Sequence, residues 1–203
     1  MRFLDNVVTW NEDLNALPKQ RQAASETRRL GLGVMGIADM LNQLGVAYDS
    51  EQGTMMIEKV MEYITNASYQ ASSFIAKEKG ASSIFDEEAY MECPFVKEAL
   101  SEQTHNMIRK NGLRNIAIMS IAPTGSISNI VLGYKSEEKN YIGVSGGVEP
   151  IFSTFYTRRS ESFGNKMFKV FHSTIQAYID KVGIQEDVDN AEDVDEVLPE
   201  FLT

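Results

Sequence analysis

The feature that most constrains this chain is a run of residues, Ile116, Ala117, Ile118, Met119, Ser120, Ile121 and Ala122, that is almost wholly apolar. A strand with apolar side chains on both faces must be covered on both faces, which is the condition of a parallel strand in an α/β layer structure. The rest of the pattern agrees. Residues 30–35 read as a short strand punctuated by glycines, and residues 37–44 as a helix closed by Gly45. Ser50 can cap a long helix with Met55, Met56, Val60, Ile64, Ala67, Ala71, Phe74 and Ile75 as its core stripe, ended by Gly80. Residues 85–92 read as a loop, 94–110 as a helix opened by Pro94 and ended at Asn111 and Gly112, 151–156 as a second strand, and 165–182 as an amphipathic helix. Strands alternating with helices predict an α/β fold with parallel strands and covering helices.

The chain has 203 residues, for which one domain is the default expectation. With 19 basic against 29 acidic residues it lacks the positive field that holds a polyphosphate backbone, so nucleic-acid polymers are not expected partners. Cys93 is the single cysteine and no Cys/His cluster has zinc spacing, which fits a reducing, cytoplasmic setting without a metal. No apolar stretch is long enough for a membrane span, and the first residues lack the apolar core of a secretion signal. Phe3, Leu4, Val7, Val8 and Trp10 place an apolar helix at the very start, as if the chain begins in mid-structure. Residues 183–203 form a separate acidic segment, expected to be a solvated tail. The competing expectation is that Val188, Val194, Val197, Leu198, Phe201 and Leu202 pack on protein outside this chain.

Gly31, Gly33 and Gly36 satisfy G-x-G-x-x-G, but polar Ser25 to Arg29 stands where a dinucleotide fold needs its first apolar strand. These glycines are expected instead to permit close backbone packing. The stronger signal is Pro123, Thr124, Gly125, Ser126, Ile127 and Ser128, small and hydroxyl residues where a buried strand gives way to a helix start that continues to Val131. Such a turn aims unpaired N–H groups and the helix dipole at one point, a seat for an anion, with Thr124, Ser126 and Ser128 as hydroxyl donors. A plain helix cap is the alternative. His105 and His172 lack spaced partners, and Cys93 sits among acids rather than bases, so none of them is expected to act in catalysis.

Several of these segments occur together in one known family. Phe3-Leu4-Asp5-Asn6-Val7, Arg28-Arg29-Leu30-Gly31-Leu32-Gly33-Val34-Met35-Gly36-Ile37, the 121–128 turn, Ser145-Gly146-Gly147-Val148-Glu149-Pro150 and Tyr156-Thr157-Arg158-Arg159 follow the order and spacing of the large catalytic chain of ribonucleotide reductases. The sequence resembles that family over residues 1–182, with residues 134–141 as a short insertion. Gly125-Ser126 is more similar to the adenosylcobalamin-dependent class than to class I, whose turn usually carries an acid. The resemblance implies part of a ten-stranded α/β barrel in which a cysteine thiyl radical takes the ribose 3′ hydrogen and a cysteine pair reduces the 2′ carbon. It implies adenosylcobalamin as cofactor, a ribonucleoside diphosphate as substrate, and a dithiol reductant such as thioredoxin. A missing N-terminal part would carry the radical cysteine, so this chain alone is expected to be inactive. Residues 123–128 are then similar to the loop that binds the substrate phosphates. Arg28 and Arg29 are better read as a solvated pair or a structural salt bridge than as nucleotide contacts. A non-catalytic phosphate-binding module and a dinucleotide dehydrogenase are the alternatives.

Overall fold

The computed structural model describes every residue except 129, 132–133, 136–139, 145, 161–163, 165 and 203. In chain order the elements are α1 (Arg2–Asn11), α2 (Pro18–Thr27), α3 (Ile37–Gln43), α4 (Glu51–Lys79), α5 (Glu87–Met91), α6 (Pro94–Ala99), α7 (Glu102–Asn111), α8 (Gly125–Ser128), β1 (Tyr134–Lys135), β2 (Asn140–Tyr141), β3 (Phe155–Ser160), β4 (Lys166–Phe171), α9 (Ser173–Val182), α10 (Gln185–Asn190) and a 3-10 turn, Glu200–Leu202. The chain divides into two compact units: residues 1–33 with 58–121, and residues 34–57 with 122–203. Each has its own apolar cluster.

The first unit is mostly helical, around Tyr69, Val96, Leu100, Ile108, Leu113 and Ile118. Its extended segments pair in parallel: Leu30 and Leu32 donate to the carbonyls of Ala117 and Ile118, both at 2.8 Å, and Ser120 donates to Leu32 at 2.9 Å. Gly33 serves the close approach expected of it, because a Cβ there would stand 2.6 Å from the Ser120 carbonyl oxygen. The strand expected over 116–122 is reduced to a single parallel bridge at Met119, and the run is not covered on both faces. Ile118 is buried but Ile121 is 75% exposed, since the parallel ladder ends at Ser120.

Three local expectations are corrected among these helices. The helix expected over 94–110 breaks at Leu100, which is extended, because the Ser101 hydroxyl accepts from Thr104 N–H and starts α7 afresh. Residues 87–91 of the expected loop form α5, capped by Asp86 accepting from Ala89 N–H at 3.0 Å. The inward face of α4 is also rotated from the expected stripe. Met55 and Phe74 are half exposed, whereas Ser68, Ser72 and Ser73 are buried. Their hydroxyls are satisfied by the Ile64 carbonyl, the Asn115 side chain and the Met107 carbonyl, and small side chains let α4 pack closely.

At the centre of the first unit lies Asp5, fully buried, whose carboxylate accepts from Arg28 Nε at 2.9 Å, Lys79 Nζ at 3.2 Å and Arg114 Nε at 3.3 Å. Arg28 also reaches the Glu12 carboxylate at 2.8 Å and is 3% exposed, so it is a structural salt bridge, while Arg29 faces solvent. Burial by itself would raise the Asp5 carboxyl. The hydrogen bond and charge of Arg28, then Lys79 and Arg114, outweigh it and hold the group below its ordinary 3.8.

In the second unit β3 and β4 form an antiparallel hairpin in register from Phe155↔Phe171 to Ser160↔Lys166, and β1 pairs with β2 antiparallel. The helix expected over 165–182 therefore begins only at Ser173, after an extended His172, and the strand expected over 151–156 lies at 155–160. Phe171 and Ile175 both face the core, so helical spacing across the junction hid the change of element. Of the 134–141 insertion, residues 136–139 lie outside the described residues.

The acidic segment overturns both expectations for it. Val188, Val194, Leu198 and Leu202 are buried in one cluster with Phe171, Ile175 and Ile179 of β4 and α9. Lys169 anchors it, donating to the carbonyls of Val188 at 2.9 Å and Ala191 at 3.0 Å. The acids occupy the outer positions of a segment whose valines and leucines turn inward, which charge content alone conceals.

Candidate phosphate-binding turn

The 123–128 turn lies in the second unit and is built on a glycine pair. The Gly147 carbonyl accepts from Gly36 N–H at 2.9 Å and Ile37 N–H at 3.1 Å, at the start of α3, where Gly36 is left-handed with φ +78°. A Cβ on Gly147 would strike the Thr124 hydroxyl, and would lie 2.7 Å from a Glu149 carboxylate oxygen and 2.9 Å from the Pro123 carbonyl. Gly147 is thus the floor on which the turn rests, and the sequence signal for it was the paired glycine before Val148. Ser145 lies outside the described residues.

Thr124 has φ +48°, a left-handed backbone that a β-branched residue rarely adopts. Its Oγ1 is buried and has no hydrogen-bond partner among the described residues. From Thr124 the chain enters α8, whose first intrahelical bond runs from Ser128 N–H to the Thr124 carbonyl at 3.0 Å. The amides of Gly125, Ser126 and Ile127 precede that bond and donate no backbone hydrogen bond among the described residues, as the first amides of a helix do. Pro123, Ser126 and Ile127 are exposed, so the Ser126 hydroxyl sits on the open side. Ser128 is buried, which points its hydroxyl into the protein rather than to a ligand. Thr124 is not a helix cap in the ordinary sense: a capping hydroxyl would bond a first-turn amide, and this one does not.

The remaining candidates do not join the turn in any shared chemistry. His105 Nε2 lies 2.7 Å from the Val96 carbonyl in the first unit, and Cys93 is exposed at the start of α6. Among the described residues no group of three or more His, Cys, Asp or Glu side chains is placed to hold a metal ion, and no helix is long and apolar enough to cross a membrane. Tyr90 donates to the Ile116 carbonyl at 3.1 Å, and burial pushes its hydroxyl well above the usual tyrosine range.

Residues 1–199 match the family described as ribonucleotide reductase, barrel domain. The chain is 33% identical over 158 residues to a Mycobacterium tuberculosis vitamin B12-dependent ribonucleoside-diphosphate reductase, covering 78% of this chain and 18% of that protein. It is 35% identical over 159 residues to the protein of the same name from Thermoplasma acidophilum, covering 77% of this chain and 17% of that one. The fold is that of the Actinobacillus ureae class Id ribonucleotide reductase alpha subunit, with a TM-score of 0.63 at 23% identity over 98% of this chain and 32% of that one.

Proposed function

Since the chain belongs to the ribonucleotide reductase barrel-domain family, we propose that it is a section of the catalytic chain of a vitamin B12-dependent ribonucleoside-diphosphate reductase, and that its 123–128 turn binds the substrate phosphates. The observation that carries this reading is the buried, unpartnered Thr124 hydroxyl on a left-handed backbone. It leaves the first-turn amides of α8 uncapped and available to an anion. Thr124, Gly125, Ser126 and Ile127 supply this seat, with Pro123 leading into it and Ser128 closing it from inside. The ten-stranded barrel, the cytoplasmic setting and a thioredoxin-type dithiol belong to the same proposal.

A reduction that needs a radical cysteine and a cysteine pair cannot be completed by a chain whose one thiol is Cys93, exposed among acids. Those thiols belong to the remainder of the reductase. Adenosylcobalamin, which would generate the radical, enters through the names of the relatives. The complete enzyme would hold this cofactor.

The test is a graded pair of substitutions measured as nucleotide diphosphate affinity in reductase reconstituted with the remaining catalytic polypeptide. Ser126→Ala should cost about 1 kcal/mol, the net value of one hydrogen bond, or somewhat more because the acceptor is charged. Gly125→Glu should cost far more, because it brings a carboxylate against the phosphates. Equal and negligible effects would reduce the turn to a helix start and place the phosphate site elsewhere. Deoxyribonucleotide formation by the purified chain alone, supplied with adenosylcobalamin and a dithiol, would overturn the division of labour.

A further inference from the structure

The second unit holds a cavity of about 500 Å³ lined by the end of α3, one face of α9 and the 3-10 turn, a volume within the range of small-molecule sites. Asn42 forms part of its wall and is only 8% exposed, yet its amide makes no hydrogen bond among the described residues. The polar groups beside it are satisfied: Thr174 Oγ1 donates to Asp39 at 2.8 Å, and Gln43 Nε2 donates to Thr174 Oγ1 at 3.4 Å. Its amide atoms are not among the buried side-chain atoms left without a partner, so they reach the solvent in the cavity, where a ligand edge can replace water.

The lining defines the chemistry of that ligand. A primary amide presents a donor and an acceptor side by side, the complement of a lactam or amide edge. Tyr178 and Phe201 meet edge to face at 6.2 Å between centroids, which leaves a ring face for a planar group. Lys181, one turn beyond Tyr178 on α9, brings an exposed ammonium that forms no ion pair among the described residues. A second, smaller cavity shares Asn42, Phe201 and Leu202 but is lined by the Asp49 carboxylate, which repels anions. An anionic ligand is thereby directed to the first.

We propose that the cavity at Asn42 binds a small planar anion bearing a lactam edge, with the edge on the Asn42 amide, the ring against Tyr178 and Phe201, and the anionic group on Lys181. Orotate carries all three features, uracil lacks the anion and benzoate lacks the lactam. Ligand-observed NMR titration of the 203-residue chain with each probe should rank orotate above the other two. Asn42→Leu should weaken orotate about tenfold and leave benzoate unchanged. Lys181→Met, at an exposed site that folding tolerates, should weaken orotate about fivefold and leave uracil unchanged. Orotate binding no tighter than uracil and benzoate, or equal orotate binding by the wild type and Lys181→Met, overturns the proposal, as does absence of any orotate signal with the wild-type chain.

Discussion

Replacing Asp5 by alanine removes the carboxylate on which three cations of the first unit converge. Arg28 is 3% exposed, so its guanidinium cannot recover solvation when its 2.9 Å partner is lost. Breaking a buried pair by removing one partner costs about 3–5 kcal/mol. The lower end applies here, because Arg28 keeps Glu12 at 2.8 Å and the Thr9 hydroxyl at 2.7 Å, and Lys79 and Arg114 retain partial access to water. A loss of about 3 kcal/mol is a large share of the 5–15 kcal/mol typical of a folded domain. Urea denaturation followed by circular dichroism measures it. The folded carboxyl titrates below its ordinary 3.8, so its contribution is fully present above that range and fades as pH falls through the folded value. Asp5→Asn should therefore flatten the acid limb of the stability curve while leaving the hydrogen-bond geometry largely intact. A change below about 1 kcal/mol in Asp5→Ala, or an unchanged acid limb in Asp5→Asn, would refute the claim that this cluster holds the unit together.

Gly147→Ala should displace the 123–128 turn, since the new Cβ meets the Pro123 carbonyl and the Glu149 carboxylate; nucleotide affinity in the reconstituted reductase should fall about tenfold while the chain still melts cooperatively. Cys93→Ser should leave both stability and reconstituted turnover unchanged, because the thiol is exposed and makes no hydrogen bond among the described residues, and a loss of several orders of magnitude would make it a radical or reducing thiol. Truncation after Gly183 should strip Val188, Val194, Leu198 and Leu202 from their cluster, exposing Ile175 and Ile179; loss of the second unit's protection from hydrogen exchange is the expected readout, and native protection would mean that the acidic segment is dispensable.

What the sequence determined by itself was local or steric. The Ser50 cap and Gly80 end of α4, the close-packing glycine at 33 and the helix start at 125 rest on hydroxyl capping, left-handed backbone and absent Cβ atoms, which act within a few residues or admit one residue type. The Asp5–Arg28 bridge was half legible, with the cation marked and its carboxylate partner unseen. Only tertiary structure decided the rest. Residues 166–171 became β4 because β3 supplied a ladder, although their apolar spacing ran on smoothly into α9. The acidic segment folded inward because β4 and α9 offered it an apolar face, and α4 turned its serines inward because Asn115 and Met107 offered partners. Gly147, lacking a Cβ, leaves the room that the side chain of left-handed Thr124 occupies. Each of these outcomes depends on a partner far away in sequence, and neither periodicity nor charge content encodes which distant surface a segment will meet.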